Sequence, residues 1–183
     1  MAPVAPAPAL AVQAARAGRE VVLWARDPGR AGEIGTSRMN PRLPGVVLPA
    51  SIRVTAALPE AAITLLAVPL QHMRGIVAGL PGTGPVVVCA KGVEQGSLLL
   101  PLEVLATERR DREGAVLTGP NFAHEVAAGL PAAAVVAGRE AVRAAVMAAI
   151  GTPGFRLYGN DDAIGAQVGG AAKNVVAIAA GVV

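Results

Sequence analysis

The stretch that decides the fold is PVVVCAKG, residues 85–92, in which a run of valines ends at a lysine and a glycine. Its apolar residues follow one another without alternation, which is typical of a strand covered on both faces. Similar runs bounded by glycine or proline occur elsewhere: EVVLWA from Glu20, ITLLAVP from Ile63, GAVLTGP from Gly114 and AAAVVAG from Ala132. The sequence therefore predicts five buried strands.

Helical patterns separate these strands, at Leu70 to Leu80, at Ser97 to Arg110 and at Arg139 to Ile150. Ser97 is the expected N-cap of its helix, because a serine hydroxyl accepts a hydrogen bond from N–H groups of the first turn. Alternation of strands and helices predicts an α/β fold with a doubly wound, mostly parallel sheet. Such sheets bind ligands beyond the carboxyl ends of their strands, where this chain has ARDP, AVPLQH, AKGVE and TGPNFAHE.

A last helix begins at GNDDAIG, with Asn160 or Asp161 as its expected cap, and continues to the end of the chain. After Gln167 its residues are almost all small and apolar, whereas a surface helix usually carries a polar stripe. We therefore expect this helix to need burial on most sides, for which 183 residues supply too little protein. The chain divides into a strand-and-helix domain over residues 1–159 and the start of a helical domain over residues 160–183.

Composition and charge exclude several classes of protein. Aromatic residues make up 2% of the chain, and the net charge of +3 is scattered, so nucleic-acid binding is not expected. The one cysteine, Cys89, allows no disulfide within the chain and lies in an apolar run, which favours a buried thiol in a reducing compartment. The sequence shows neither a secretion signal nor an apolar run long enough to insert into a membrane, so a cytoplasmic protein is expected.

Two lysines are the strongest candidates for chemistry. Lys173 is a lone ammonium in the apolar helix segment VGGAAKNVVAIAAG. Such a lysine extends to solvent, pairs with another group, or gives up its proton readily and then serves as an acid or base. Gly169 and Gly170 in the same helix indicate close approach of another backbone or a ligand. Lys91 ends a predicted strand before Gly92, either as a solvated rim charge or as a group at the ligand-binding edge.

Three further candidates follow the strands. GPNFAHE, from Gly119, predicts a turn and a helix start whose free N–H groups can hold an anion, although a capping role explains Asn121 equally well. Arg26 follows the first strand, where dinucleotide-binding units place an acid for NAD or an arginine for NADP, so NADP is favoured. His72 and His124 have no partners at metal-ligand spacing, so no metal is expected.

Six segments of the chain, from about Ala9 to Val183, resemble bacterial NAD(P)-dependent glycerol-3-phosphate dehydrogenase in order and approximate spacing. They are VVLWARDP, NPRLPGVVLP, LLAVPLQHMR, AKGVE, GPNFAHEVAAGLPAA and NDDAIGAQVGGAAKNVVAIAAG. The resemblance implies a Rossmann-like domain, NADP or NAD as cofactor, and reversible hydride transfer between sn-glycerol 3-phosphate and dihydroxyacetone phosphate. It also implies a role in supplying glycerophospholipid synthesis.

The resemblance implies a substrate site as well. The lysine that matches Lys173 accepts the proton of the substrate hydroxyl, and the lysine that matches Lys91 contacts both substrate and cofactor. Gly119 and Asn121 match substrate contacts, although the family usually has serine or threonine where this chain has Asn121. The substrate-binding residues implied are thus Lys91, Gly119, Asn121 and Lys173.

The implied cofactor site departs from the family pattern. Four residues match its contacts: Arg26, Arg42, Lys91 and Ala123. Arg42 stands where the family has an aromatic residue. The GxGxxG turn that holds the pyrophosphate has no counterpart, since its glycine positions fall near Ala2, Val4 and Ala7, with prolines among them. We therefore expect little or no activity from this chain alone, and unpaired edges on the strands that would flank the missing first strand.

Two alternatives remain open. One is another two-domain NAD(P)-dependent dehydrogenase of the hydroxyacid type, such as a hydroxyacyl-CoA or 6-phosphogluconate dehydrogenase. The other is a non-catalytic remnant that associates with a partner chain, or with itself as a homo-oligomer, through its apolar last helix. A substrate panel separates the first alternative, and sedimentation with cofactor titration separates the second.

Overall fold

The structure is a computed structural model that describes residues 6–181, without the side chains of residues 174 and 175. The first elements are α1 (Pro6–Arg16), β1 (Val21–Trp24), α2 (Pro28–Ser37), β2 (Met39–Asn40), β3 (Leu43–Val47), β4 (Ile52–Thr55) and β5 (Thr64–Leu66). A 3₁₀ turn at Leu70–His72 leads into α3 (Met73–Ala78), β6 (Val86–Val88), α4 (Pro101–Glu108), β7 (Gly114–Thr118) and α5 (Ala123–Ala128). The last elements are β8 (Ala132–Gly138), α6 (Glu140–Ile150), β9 (Phe155–Asn160) and α7 (Ala163–Ala180).

Five strands form the main sheet, in the order β5-β6-β7-β8-β9. Its neighbouring strands are parallel except for β7 and β8, which pair antiparallel. β1 and β4 form a separate parallel pair, and β2 and β3 form an antiparallel hairpin. The predicted doubly wound, mostly parallel sheet is therefore confirmed, and each predicted run contains a strand.

The central strand β6 explains why its residues are apolar without alternation. Val86, Val87 and Val88 have no exposed surface. Val86 and Val88 pack in a cluster with residues of α3 and α4, such as Met73 and Val104. Val87 belongs to a second cluster, which α1, α5 and α6 share. Because helices cover both faces, the carboxyl end of the strand is the place where polar groups can gather.

A cavity of about 550 Å³ lies between β1 and the main sheet. Its lining includes Val21–Trp24 of β1, Thr64–Leu66 of β5, and Leu10 and Ala14 of α1. Among the strands that the structure describes, β1 pairs only with β4, and β5 pairs only with β6. The strand edges that face the cavity are therefore unpaired within the described residues, which confirms the expectation.

The predicted start of α4 is wrong. Leu98 has a φ of 60°, a left-handed conformation that a helix cannot continue through, so Ser97 cannot cap it. Leu100 is the N-cap instead, and Pro101 occupies the first turn, where its missing N–H has no helical partner to lose. The Ser97 hydroxyl donates a hydrogen bond to the carboxylate of Glu94.

The predicted cap of the last helix is wrong by one or two residues. Asp162 caps α7, because its Oδ1 accepts a hydrogen bond from the Gly165 N–H at 2.7 Å. The Oδ1 of Asn160 accepts instead from the N–H of Asp162 at 2.9 Å, and Asp161 lies between them. The polar segment therefore forms a turn that leads into the helix.

The last helix is not buried on most sides. Large apolar side chains of α7 are exposed: Ile164 at 68%, Val168 at 50%, Val176 at 62% and Ile178 at 70%. One face of the helix contacts β7 and β8, and Oε1 of Gln167 accepts a hydrogen bond from the N–H of Leu102 in α4 at 2.8 Å, whereas the large side chains of the opposite face are exposed. The expected shortage of covering protein is therefore confirmed for the described residues. None of the described helices has the length and apolarity that a membrane span needs.

Candidate functional site

The two lysines of the chain converge where α7 crosses the carboxyl ends of β6 and β7. Lys91 follows β6, and Lys173 lies on α7, far away in the sequence. A Cβ atom at Gly170, three residues before Lys173, would lie 3.8 Å from Cγ of Lys91, and Lys173 lowers the pKa of Lys91. No other lysine occurs in the sequence, whereas arginines are spread along its length. Two candidates that the sequence singles out separately thus form one cluster.

Gly170 allows α7 to come this close. A Cβ atom at this position would lie 3.1 Å from Oγ1 of Thr118 and 3.8 Å from Cγ of Lys91. At Gly169, the preceding residue, a Cβ atom would meet nothing within 4 Å. The structure thus brings side chains, rather than another backbone, against Gly170 and no protein atom against Gly169, and approach of a ligand stays a prediction. Thr118, which sequence reasoning missed, is the strand-end residue that the helix backbone meets.

The side chain of Lys173 is exposed to solvent. Burial of this amine with its apolar helix, the arrangement that would make it an acid or base, is not observed, because the outer face of α7 is exposed in the described residues. The structure instead agrees with the first possibility that the sequence left open, a lysine that extends to solvent. Its position beside Lys91 nevertheless places it at the site, so exposure and a functional role coexist.

The Lys91 amine is perturbed by its surroundings. Its pKa is lowered from 10.5 to about 8, mainly because part of its hydration is lost, and further because Lys173 presents a like charge and a competing hydrogen-bond donor. The neighbouring Cys89 opposes this shift weakly, while burial raises the pKa of its own thiol to about 12. At neutral pH the site therefore holds a protonated, unreactive thiol and an amine that is in part uncharged.

The turn after β7 brings Gly119 and Asn121 to the same edge. A Cβ atom at Gly119 would lie 3.0 Å from the carbonyl oxygen of Ala133 and 2.9 Å from Nδ2 of Asn121, so the β8 backbone leaves no room for a side chain. Phe122 is the N-cap of α5, and the capping interpretation of Asn121 is therefore wrong. The Asn121 amide lies against the glycine of the turn instead.

The other residues matched to a cofactor site lie on separate elements. Arg26 follows β1 and is exposed. Arg42 is exposed in the turn of the β2–β3 hairpin, where its N–H donates to Oδ1 of Asn40 at 2.9 Å. Ala123 begins α5 and packs against the cluster that contains Leu43 of β3. Within the described part of the chain, no hydrogen bond or ion pair joins Arg26, Arg42 or Ala123 to the two lysines.

The first turn of α1 does not fit a pyrophosphate. A helix start holds an anion through free N–H groups, and Pro6 and Pro8 have none. Ala7 stands between them, at one of the positions where a glycine would be expected. The other two such positions, Ala2 and Val4, lie outside the described residues.

Sequence reasoning also missed the residues that hold the loop after Lys91. Nε2 of Gln71 donates to the carbonyl of Val93 at 3.0 Å, and its Oε1 accepts from the N–H of Gln95 at 2.9 Å. Arg74 makes an ion pair with Glu94 at 2.6 Å. The spacing in LQHMR, residues 70–74, could have indicated these contacts. Gln71 and Arg74 are three residues apart, so they lie on the same side of a helical turn.

Arg74 ties three elements together. Besides Glu94 in the loop, it binds the carboxylate of Glu108 at the end of α4. Hydrogen bonds from Arg74 and from Ser97 hold the pKa of Glu94 at about 2. The segment that begins with Lys91 is therefore fixed by charge-assisted bonds.

Comparisons with known proteins agree with this geometry. A family profile described as "NAD-dependent glycerol-3-phosphate dehydrogenase N-terminus" matches residues 8–144. A protein of Acidiphilium cryptum named glycerol-3-phosphate dehydrogenase (NAD(P)+) is 54% identical over 177 residues, which cover 96% of this chain and 55% of that protein. A Bradyrhizobium protein of the same name is 50% identical over 184 residues, which cover 96% of this chain and 56% of that protein.

A solved structure is similar over the same length. The crystal structure of glycerol-3-phosphate dehydrogenase from Coxiella burnetii has a TM-score of 0.85 and 32% identity, covering 94% of this chain and 56% of that one. The chain spans about half the length of the curated relatives it matches.

The two glycines of α7 provide a matched test of the close approach. Gly169→Ala meets no neighbour and removes backbone freedom, so it should stabilise the protein by up to about 1 kcal/mol. Gly170→Ala must displace Thr118 or the helix by a few tenths of an ångström, so it should stabilise the protein less than Gly169→Ala does, or destabilise it. Because the helix moves away from Lys91, the pKa of that lysine should also rise toward 10.5. Thermal unfolding and amine titration measure both effects. Equal stabilisation by the two variants would contradict the proposed packing.

Acid should release the loop after Lys91. The pKa of Glu94 in the folded chain, about 2, lies below its ordinary value of 4.5, so its ionised form stabilises the fold above pH 4.5 and this stabilisation disappears as the pH falls toward 2. Glu94→Gln should therefore lower the Tm at pH 7 and have little effect near pH 2. Glu113→Gln, which removes the partner of the exposed Arg139, is the control and should change the Tm little. An equal Tm deficit of Glu94→Gln at both pH values would be inconsistent with the ion pair.

Proposed function

Because the chain belongs to the family of NAD-dependent glycerol-3-phosphate dehydrogenases, we propose that it carries the cofactor half and part of the reaction site of such an enzyme. The reaction is reversible hydride transfer between sn-glycerol 3-phosphate and dihydroxyacetone phosphate. The convergence of Lys91 and Lys173 at the strand ends is the observation that carries this proposal. In this proposal residues 1–159 form the dinucleotide-binding domain, and residues 160–183 begin a helical substrate domain.

Two ammonium groups at one point suit the chemistry of a carbonyl. Reduction of dihydroxyacetone phosphate places negative charge on the carbonyl oxygen, and cations positioned there stabilise it. We assign to Lys173 the proton exchange with the substrate hydroxyl, and to Lys91 a contact with the substrate oxygen. Gly119 lets the turn approach closely, and the Asn121 amide can bind a substrate hydroxyl.

Arg26, Arg42, Lys91 and Ala123 are the proposed cofactor contacts. When bound, the nicotinamide supplies or accepts the hydride. The positive charge of Arg26 after β1 favours the 2′-phosphate of NADP over NAD. The prolines in the first turn of α1 weaken the pyrophosphate contacts, so this chain alone should bind either cofactor poorly and show little or no activity.

The proposal extends to the setting of the reaction. The product glycerol 3-phosphate would supply glycerophospholipid synthesis, and the single, buried thiol fits a reducing cytoplasm. Both the substrate and the cofactor are small molecules, so no nucleic acid or membrane insertion is needed.

A second candidate function rests on the outer face of α7. Ile164, Val168, Val176 and Ile178 expose large apolar surfaces, which is unusual for a helix that meets only water. A chain that associates through this face, as a homo-oligomer or with a partner, would be stable without any cofactor. Sedimentation of the unaltered chain and of Ile178→Lys tests this directly. If the chain associates through this face, the unaltered chain should sediment as an oligomer and Ile178→Lys as a monomer.

Ligand binding tests the proposed function without requiring turnover. Glycerol 3-phosphate, titrated into ¹⁵N-labelled chain, should shift the amide signals of Lys91, Gly119 and Gly170, whereas 6-phosphogluconate and a hydroxyacyl-CoA should not. Lys173→Met should weaken this binding at least about tenfold, because one charge-assisted contact is lost. A distant control, Arg156→Gln on β9, should bind as the unaltered chain does.

Two results would contradict the proposal. One is a response of the site to 6-phosphogluconate or the acyl-CoA but not to glycerol 3-phosphate. The other is equal binding by Lys173→Met. NADPH consumption with dihydroxyacetone phosphate, recorded in parallel, is expected to be very slow, and rapid turnover would show that the prolines of α1 do not weaken cofactor binding.

A further inference from the structure

We propose that Lys91 is also a covalent site, whose amine forms an imine with small anionic aldehydes and ketones. This reaction is distinct from hydride transfer and needs no nicotinamide. It rests on three features of the cluster: an accessible amine, a second lysine beside it, and a firmly held backbone.

Access and rigidity come from the position of Lys91. Its side chain is exposed at the edge of the sheet, so a ligand reaches the amine from solvent. Its stem lies beneath the Gly170 backbone of α7, and Gln71 and Glu94 fix the segment that follows it. The backbone and the first carbons of the Lys91 side chain are therefore held in place, and the amine extends from them toward solvent at the edge of the sheet.

The charges around Lys91 favour an uncharged amine. Lys173 faces it from α7 and favours the uncharged form, whereas Cys89, two residues before it in the chain, opposes this weakly. Among the described residues, no carboxylate forms an ion pair with Lys91. At pH 7 its pKa of about 8 gives it a neutral fraction roughly three hundredfold larger than that of a lysine with a pKa of 10.5. Lysines placed next to another cation are activated nucleophiles for this reason.

The step balances without an oxidant or reductant. The lone pair of the neutral Lys91 nitrogen attacks the carbonyl carbon, and the Lys173 ammonium gives a proton to the oxygen as the C=O bond opens. The nitrogen of the carbinolamine then gives up its two protons: one passes to the hydroxyl group, which leaves as water, and the other restores the Lys173 ammonium through solvent. Amine and carbonyl compound thus become imine and water.

The same arrangement selects anionic ligands. Once Lys91 is an imine, Lys173 is left as a cation that can pair with a phosphate or carboxylate of the bound molecule. A neutral carbonyl compound gains no such contact. The ligand class is therefore a small ketone or aldehyde that carries an anionic group a few bonds from its carbonyl carbon.

Reductive trapping tests the proposal on the full chain. Pyridoxal phosphate serves as the anionic probe and pyridinecarboxaldehyde as the neutral probe, each followed by borohydride, which fixes the imine as a stable secondary amine. Proteolysis and mass spectrometry then assign the label to Lys91, Lys173 or the α-amino group. With pyridoxal phosphate at pH 7.5, Lys91 should be labelled at least about tenfold faster than Lys173.

Two variants of one residue separate the effects of charge and structure. Lys173→Arg keeps the cation, so labelling of Lys91 should persist within about twofold. Lys173→Gln removes it, so labelling by pyridoxal phosphate should fall at least about fivefold and its pH midpoint should move above about 8. The preference for the anionic over the neutral probe should disappear in the same variant.

Three results would overturn the proposal: labelling of Lys173 in preference to Lys91, labelling confined to the α-amino group, or equal labelling of Lys91 in Lys173→Arg and Lys173→Gln. The trapping reaction contains no nicotinamide and no glycerol 3-phosphate. Its failure would therefore leave the proposed dehydrogenase function intact, and failure of glycerol 3-phosphate binding would leave the covalent chemistry intact.

Discussion

The site depends on one close packing contact, between the Gly170 backbone of α7 and the ends of β6 and β7. A Cβ atom at this position would lie 3.1 Å from Oγ1 of Thr118, so a side chain there would push Thr118 or the helix away by a few tenths of an ångström. This contact brings together two ammonium groups that would otherwise repel each other into solvent. Partial loss of hydration, followed by the interaction with Lys173, lowers the pKa of Lys91.

The rest of the structure holds the two partners of this contact in place. β6 is covered on both faces, so its carboxyl end is fixed in the sheet, and Arg74 and Gln71 fix the loop that continues from it. Gly119 lets the next turn lie against the β8 backbone. The helix α7, in contrast, is held by one face only. The side of the site that carries Lys91 is therefore the better supported of the two.

The sequence predicted the parts of the fold whose signal is local. The run Val86–Val88 predicts a buried strand because every residue is apolar, whereas β9 was missed, since Phe155 is its only buried residue and its pairing comes from β8. The start of α4 was misjudged although Pro101 marks it, because Ser97 offered a competing cap signal. Exposure of Lys173 could not be predicted, since it depends on which element covers α7. The meeting of Lys91 with Lys173 joins distant segments, and only the resemblance to a family indicated it.

The most direct test of this account is a titration of the two lysine side chains by NMR, in protein labelled with ¹³C-lysine, which gives one signal for each. The account predicts that the Lys91 signal titrates with a midpoint near 8, and that Lys173→Met moves this midpoint upward. A midpoint at the ordinary value of 10.5, or one that does not respond to the loss of Lys173, would show that the two amines do not face each other across the strand ends.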